Sequence, residues 1–289
     1  MELSASEFDL LRRYIQDLCG ITLPPDKSYL IQQRLESVVV AAGCKGFGEF
    51  YQMLNKNPLL NIREQIVDAI TTNETSFFRD NHPFITFAKH LLPMLGERIL
   101  QRKARDLSRK GPKVSIWSAG ASTGQEPYSL AILIHEFAQT HRGLGISKDD
   151  FRLVATDISS ETLKRAMAGE YNELEIRRGL SSDRITKYFK QIGTRWLVKS
   201  EIRSMVEFRQ VNLIKPFTML GGFDGILCRN VLIYFDIDAK NRMLDQFYEI
   251  LADGGFLLLG SSENLYGISE LFDSAKYNET LVYTKPSKK

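Results

Sequence analysis

Residues 114–128 read Val114-Ser115-Ile116-Trp117-Ser118-Ala119-Gly120-Ala121-Ser122-Thr123-Gly124-Gln125-Glu126-Pro127-Tyr128. An apolar run, Val114–Trp117, leads into a loop of small residues, and Pro127 then opens a helical pattern. That order predicts a strand, a loop whose glycines let a ligand approach the main chain, and a helix N-terminus. Together they form the first turn of a nucleotide-type pocket in an open α/β sheet. Gly120 and Gly124 do not complete the spacing G-x-G-x-x-G, so the dinucleotide fingerprint is missing. A nucleoside without phosphates remains compatible, and so does a plain tight turn from strand to helix.

Downstream, further strands are expected at Phe151–Thr156 and Phe223–Cys228, interleaved with helices at Pro127–His141 and Ser159–Ala168. This is the order of a parallel, helix-covered sheet. A helix over Ala239–Leu251 that stops at Asp253-Gly254-Gly255, a strand over Phe256–Leu259 and a β-rich run at Thr280–Thr284 close the unit. Tyr171–Gln210 breaks the alternation. Its runs Trp196-Leu197-Val198 and Val206-Glu207-Phe208 predict a small β insertion on the main sheet.

Upstream the period is helical. Ser4 and Glu7 stand at capping-box spacing, and Phe8, Leu11, Ile15 and Leu18 then recur on one face until Gly20. A second helix carries Leu30, Ile31, Leu35, Val38 and Val39 to Gly43, and shorter ones are expected at Phe47–Leu54 and Leu59–Ile70. The expected organisation is therefore a helical domain over 1–70, a linker over 71–80, and an α/β domain over 81–289 with an insertion at about 171–210. The charged run Glu97–Lys110 is expected on the surface between helix and strand.

Composition narrows the function classes. With 38 basic against 35 acidic residues and a net charge of +3, bulk electrostatics gives no ground for nucleic-acid binding. Cys19, Cys44 and Cys228 fit neither a disulfide framework nor a zinc spacing, so a reducing compartment and no metal are expected. The start Met1-Glu2-Leu3-Ser4 lacks a signal-peptide pattern, and no apolar stretch approaches the roughly 20 residues of a bilayer span, which predicts a cytoplasmic protein without membrane insertion.

In doubly wound sheets, ligands bind beyond the carboxyl ends of the strands, so residues just after each strand are the ones to inspect. These are the opening loop with Glu126, then Asp157, Asn212-Leu213 and Arg229-Asn230. An acid after the second strand can accept both hydroxyls of a ribose, although Asp157 could equally cap the helix that begins at Ser159. In the linker, Asn73, Thr75 and Arg79 bring an amide, a hydroxyl and a guanidinium together. Such groups could hold a zwitterionic ligand end, with arginine forking a carboxylate, or could simply form a capped turn before Phe77-Phe78. His82, His90, His135 and His141 stand in no motif with an acid or nucleophile and are read as surface or packing residues.

Four blocks occur in one order: Thr72-Asn73-Glu74-Thr75-Ser76-Phe77-Phe78-Arg79, Ser118 through Ser129, Ala155-Thr156-Asp157-Ile158, and Cys228-Arg229-Asn230-Val231-Leu232-Ile233-Tyr234-Phe235. In this order they resemble the signature blocks of the CheR chemotaxis receptor methyltransferases, and with the helical front and the insertion the likeness covers nearly the whole chain. The resemblance implies a Rossmann-like class I methyltransferase sheet with an N-terminal all-helical domain and a small antiparallel β insertion. It implies S-adenosylmethionine as cofactor, S-adenosylhomocysteine as product, and glutamate side chains of chemotaxis receptors as methyl acceptors. By family pattern, Asn73, Thr75, Arg79, Glu126, Asp157, Asn212, Leu213, Arg229 and Asn230 contact the cofactor, while Tyr234, near the transferred methyl, and Arg229 serve catalysis. The implied partners are the helical cytoplasmic domains of receptors and a regulatory signalling protein, with the enzyme itself a monomer.

Two departures from the family bear on docking. The second helix offers only Lys27 and Arg34 as basic residues, where relatives carry several arginines. The turn Gln191-Ile192-Gly193-Thr194-Arg195 is short and glycine-poor for gripping a receptor tail peptide, so tail-independent recognition is expected. Other classes fit less well. A base N-methylating enzyme commonly carries a Pro-Pro-aromatic element where this chain has Arg229-Asn230-Val231, and a dehydrogenase needs a better glycine fingerprint. A non-catalytic docking module would not need the full set from Asn73 to Tyr234.

Overall fold

The chain opens with four helices, α1 (Ala5–Cys19), α2 (Ser28–Ala41), α3 (Phe47–Lys56) and α4 (Leu60–Ile70), in a computed structural model that describes residues 1–56, 60–105 and 111–287. Both halves of the Ser4/Glu7 capping box are made, and Gly20 ends α1 in the left-handed conformation, φ 79°, as the sequence pattern predicts. Phe8, Leu11 and Ile15 meet Ile31, Leu35, Val39, Phe47 and Phe50 in a single apolar cluster. The expected start of the fourth helix at Leu59 lies outside the described residues.

Residues 72–81 contain no helix or strand. Helix α5 (His82–Thr86) then passes through one π-helical turn (Phe87–Leu91) into α6 (Leu92–Arg105). Here the expectation for the charged run changes: Glu97 to Arg105 is helical, and residues 106–110 lie outside the described part. Arg98 and Arg102 are not merely solvated, because both grip Asp224, at 2.7 Å each. Asp224 is 3% exposed, and a buried carboxylate needs such partners.

The sheet strands are β1 (Val114–Ala119), β2 (Phe151–Asp157), an insertion containing β3 (Glu170–Tyr171), β4 (Phe189–Ile192) and β5 (Arg195–Val198), then β6 (Val206–Gln210), β7 (Phe223–Cys228), β8 (Leu251–Leu259), β9 (Asp273–Tyr277) and β10 (Thr280–Thr284). Seven of them form one sheet in the order β6-β2-β1-β7-β8-β10-β9, and β3-β5-β4 form a small second sheet. The strands from β6 to β8 in that order pair in parallel, and β10 and β9 add an antiparallel edge. The helices α7 (Gln125–Thr140), α8 (Ser160–Ala168) and α12 (Ile237–Ile250) belong to the crossovers, and α9 (Glu173–Arg177), α10 (Ser182–Tyr188) and α11 (Ser200–Arg203) to the segment between β3 and β6.

Successive strand residues face opposite sides of a sheet. Ile116 and Leu153 accordingly enter one apolar core with α7, while Trp117 and Val154 enter another with α12. Burial on both faces explains why these strands read as continuous apolar runs.

Two expectations are corrected, and one strand was not expected. Val206–Phe208 does not belong to the insertion; it is part of β6, parallel to β2 at the sheet edge. The Asp253-Gly254-Gly255 turn does not precede the last parallel strand but is a bent start of it, since β8 begins at Leu251, directly after α12. Strand β9 has no signal in the sequence, because Asp273-Ser-Ala-Lys-Tyr277 carries no β-branched residue and is largely exposed. No helix among the described residues is long and apolar enough to cross a membrane.

Candidate active site

Strand order reverses between β1 and β7, the place where open α/β sheets bind ligands. A cleft of about 1180 Å³, open solvent at its mouth included, lies there. Asn73, Thr75, Arg79, Glu126, Asp157, Asn212, Leu213, Arg229, Asn230 and Tyr234 all line it. Residues from four strand ends, the linker and the helical domain thus converge on one space.

The glycine loop forms the floor. Gly120 (φ 74°) and Gly124 (φ 96°) take conformations that disfavour a side chain. A Cβ at Gly120 would lie 2.4 Å from Val231 Cγ2. The main-chain N–H groups of Gly120 and Ala121 both donate to the Thr156 carbonyl at 2.8 Å, tying the loop to the end of β2.

Asp157 ends β2 and is 8% exposed. One carboxylate oxygen accepts the Ser122 N–H at 2.8 Å and the other the Ser159 N–H at 3.0 Å. Burial pushes this carboxyl up from the ordinary range, and the two N–H groups pull against that shift. The alternative role as helix cap belongs to Ser159, whose side chain accepts the Thr162 N–H at the start of α8. Asp157 therefore keeps lone pairs for a ligand.

Glu126 and Arg229 face each other. Glu126 accepts the Ser118 hydroxyl on one oxygen and Arg229 Nη1 on the other, both at 2.9 Å. Arg229 Nη2 donates to the Arg79 carbonyl and to Asp80, also at 2.9 Å each. Arg229 is 6% exposed, so its charge is neutralised by two carboxylates and spans the gap between the glycine loop and the linker.

The linker is held from a distance. Ser122 Oγ donates to the Asn73 carbonyl at 3.0 Å, and Phe78 N–H donates to Ser129 Oγ at 3.0 Å. Phe77 sits edge-on to Tyr171 and Phe189 of the insertion. Gly179 backs directly onto it, for a Cβ there would fall 1.8 Å from the Phe77 carbonyl oxygen.

On the opposite side, the end of α1 supplies Cys19 to the lining, the segment just after it supplies Ile21, and the end of α4 supplies Ile70. Asn212 gives its amide N–H to the Leu18 carbonyl at 2.9 Å, so this side chain joins the two domains. Gln16 meets Asp236 at 2.7 Å and Thr22 N–H meets the Tyr234 carbonyl at 2.8 Å along the same seam. Arg34, singled out for docking, instead donates to the carbonyls of Ile70 and Thr71 at the start of the linker.

Sequence reasoning passed over Glu263, which follows β8. Its carboxylate accepts the N–H groups of Gly260, Asn230, Val231 and Ile233, at 2.6 to 3.2 Å, and so fixes the whole loop behind Tyr234. The rule that marked the ends of the other strands would have pointed to it. Ser118, Ser122 and Asp80 were missed for another reason: their partners lie 8, 49 and 149 positions away.

Residues 73–281 match the CheR methyltransferase SAM binding domain, and residues 6–71 match the CheR methyltransferase all-alpha domain. The chain belongs to the CheR methyltransferase family. Chemotaxis protein methyltransferase 1 of Pseudomonas aeruginosa is 40% identical over 284 residues, covering 98% of this chain and 99% of that one. Chemotaxis protein methyltransferase 1 of Vibrio cholerae is 38% identical over 282 residues, 97% of each chain.

The cofactor of this CheR domain is S-adenosylmethionine, and the cleft suits it. Asp157 has free acceptor capacity at the strand position that reads a ribose. The loop lacks the pyrophosphate fingerprint, and the linker contributes hydroxyl, amide and guanidinium groups at the cleft's edge. Tyr234 lines the same cleft, and its hydroxyl has no hydrogen-bond partner among the described residues.

Proposed function

We propose that this chain transfers a methyl group from S-adenosylmethionine to glutamate side chains in the helical cytoplasmic domains of chemotaxis receptors, yielding glutamate methyl esters. The observation that carries this reading is the composition of the cleft: among the described residues its lining includes no histidine and no lysine. An acceptor with a reference pKa near ~4.3 is already an ionised nucleophile at neutral pH, so no general base is required.

The bound cofactor supplies an electrophilic methyl on a positively charged sulfur. Asp157 holds the ribose hydroxyls; Asn73, Thr75 and Arg79 hold the amino-acid end. Arg229, paired through its two Nη groups with Glu126 and Asp80, keeps these two walls in register, and its part is support of the pocket more than contact with the acceptor. Tyr234 orients the acceptor carboxylate through its hydroxyl. Orientation alone can supply several kcal/mol, with an upper range of about 7–11. The neighbouring Cys19 does not compete as a methyl acceptor, because burial pushes its thiol up to about 11 and a neutral thiol is a poor nucleophile.

The short hairpin between β4 and β5, closed by Gly193 and Thr194, favours recognition of receptors through their helices and not through a tail peptide. The deciding experiment incubates the protein with methyl-labelled S-adenosylmethionine and receptor cytoplasmic fragments, then treats the product with mild alkali. Release of labelled methanol is expected, because carboxyl esters hydrolyse and N-methyl groups do not. Label absent from the receptor, or stable to alkali, would overturn the reading.

A further inference from the structure

The turn that follows the linker is conformationally unusual. Phe78, Asp80 and Asn81 all have positive φ, at 49°, 66° and 52°. Non-glycine residues hold such angles only where surroundings over-determine them, and such clusters gather at functional sites. The surroundings here are specific. Arg229 Nη2 donates both to the Arg79 carbonyl and to Asp80 Oδ2, at 2.9 Å each.

Behind Asp80 runs a line of polar side chains. Ser261 Oγ lies 3.3 Å from Asp80 Oδ2, His82 Nε2 lies 3.1 Å from Ser261 Oγ, and His82 Nδ1 lies 2.8 Å from Thr280 Oγ1. Thr86 Oγ donates to Thr280 Oγ1 at 3.0 Å. One assignment uses each hydrogen once: Thr86 donates to Thr280, Thr280 to His82 Nδ1, His82 Nε2–H to Ser261, and Ser261 to Asp80. The line then ends on the carboxylate that accepts Arg229, with its Thr86–Thr280 end buried and its two Ser261 links exposed. Its far end is β10, the antiparallel strand beside β8.

We propose that Asp80 is a positioning residue for cofactor binding, set by Ser261 and His82, that acts through Arg229 to hold the linker's Asn73–Arg79 run against the glycine loop. Asp80 lines no part of the cleft, so its action is indirect. The buried Arg229 charge has two counter-charges. Glu126 belongs to the glycine-loop wall, and Asp80 belongs to the linker wall. Removal of Asp80 leaves Arg229 fastened to only one of them, and the left-handed turn loses the bond that justifies its backbone path. His82 enters because the Ser261 hydroxyl can turn to another acceptor unless His82 donates to it.

The inference rests on S-adenosylmethionine occupying the cleft, and not on the identity of the methyl acceptor. Binding of the cofactor and of S-adenosylhomocysteine to the whole protein, measured by calorimetry, separates the two, because wild-type binding must be present before any variant is read. Asp80→Asn is expected to weaken cofactor binding about tenfold, the low end for a hydrogen bond to a charged group, because the Asp80 side chain is 34% exposed and asparagine keeps an acceptor oxygen. His82→Gln keeps a donor where Nε2 stands, and binding close to wild type is expected. His82→Asn reaches only towards Thr280, and a loss of roughly threefold to tenfold is expected. Melting temperature without ligand is recorded for each. Equal affinities for wild type and Asp80→Asn would overturn the proposal, as would Gln and Asn at position 82 lowering melting temperature alike with unchanged affinity. If Asp80→Asn fails to fold, the Gln/Asn contrast at position 82 still decides.

Discussion

The two long walls of the cleft are built on different principles. The sheet wall consists of strand ends: Gly120, Asp157, Asn212 and Asn230 stand where parallel strands stop, and neighbouring strands set their positions. The linker wall, Asn73 to Arg79, has no ladder of its own. It is suspended from Ser122, Ser129, Gly179 and Arg229, contacts contributed by three separate parts of the chain. A wall made of strand ends tolerates local change because the sheet re-imposes its geometry. A suspended wall fails wherever one support fails.

The same substitution placed on each wall tests this contrast. Gly179→Ala drives a methyl group to 1.8 Å from a main-chain oxygen at a φ of +98°, and backbone cannot swing aside. The linker must move, and cofactor affinity should fall about 100-fold or more, the consequence of a strained backbone costing roughly 3 kcal/mol. Gly120→Ala meets a side-chain methyl of Val231 at 2.4 Å, at φ +74°. Because that side chain can yield in part, a loss of roughly tenfold is expected. Calorimetry on both variants ranks the walls. A larger loss for Gly120→Ala would reverse the contrast.

Within the sheet wall, Asp157 makes a pH-dependent prediction. Its carboxyl is raised by burial, and the ribose hydroxyls need the ionised form. Cofactor affinity therefore falls as pH drops through the folded value, starting above the ~3.9 of an ordinary aspartate. Stability of the free protein moves the other way for this group. A raised carboxyl favours the folded state below its unfolded pKa, and that contribution is lost as pH rises through the folded pKa, so acidification from neutrality removes a cost. Asp157→Asn should lower affinity about tenfold at neutral pH and flatten the acid side of the binding curve. A parallel acid limb in the variant would assign the titration elsewhere.

On the proposed role of its hydroxyl toward the acceptor, Tyr234→Phe should reduce turnover, by about tenfold, with cofactor affinity changed less than twofold. Equal turnover would discard its role. The smallest effect on stability belongs to the linker's exposed ion pair, whose Glu74 also lines the cleft. Glu74 and Arg178 pair at 3.0 Å with 65% and 61% of their side chains exposed, and Glu74→Gln should cost less than about 0.5 kcal/mol in thermal stability. A larger effect would mean that the linker hangs on this pair as well.

The same contrast explains what could be read from the sequence. Val114–Trp117, Phe151–Thr156 and Phe223–Cys228 announced their strands because both faces of each are buried, and the strand-end rule then led to Glu126, Asp157 and Arg229. Asn73, Thr75 and Arg79 carried no period, and only the family resemblance assigned them to the site. Physical inspection alone left a ligand clamp and a capped turn both open, and the contacts that hold this segment, to Ser122 and Arg229, are remote in the chain. Residues 206–208 were given to the insertion because an edge strand half covered on one side resembles any short strand. Arg34 looked like a free cation on a helix face, while its actual partners are carbonyl oxygens, which leave no mark in sequence.

Gly20 closes α1 with no room for a side chain, since a Cβ there would stand 2.3 Å from Ile214 Cγ2 and 2.8 Å from the Phe235 ring. The helical front and the catalytic body are therefore matched like a lock's two plates, and the residues that match them sit beside the cofactor space. A chimera that grafts the helical front of one relative onto the body of another would inherit a working pocket only if position 20 and its two apolar neighbours travel together.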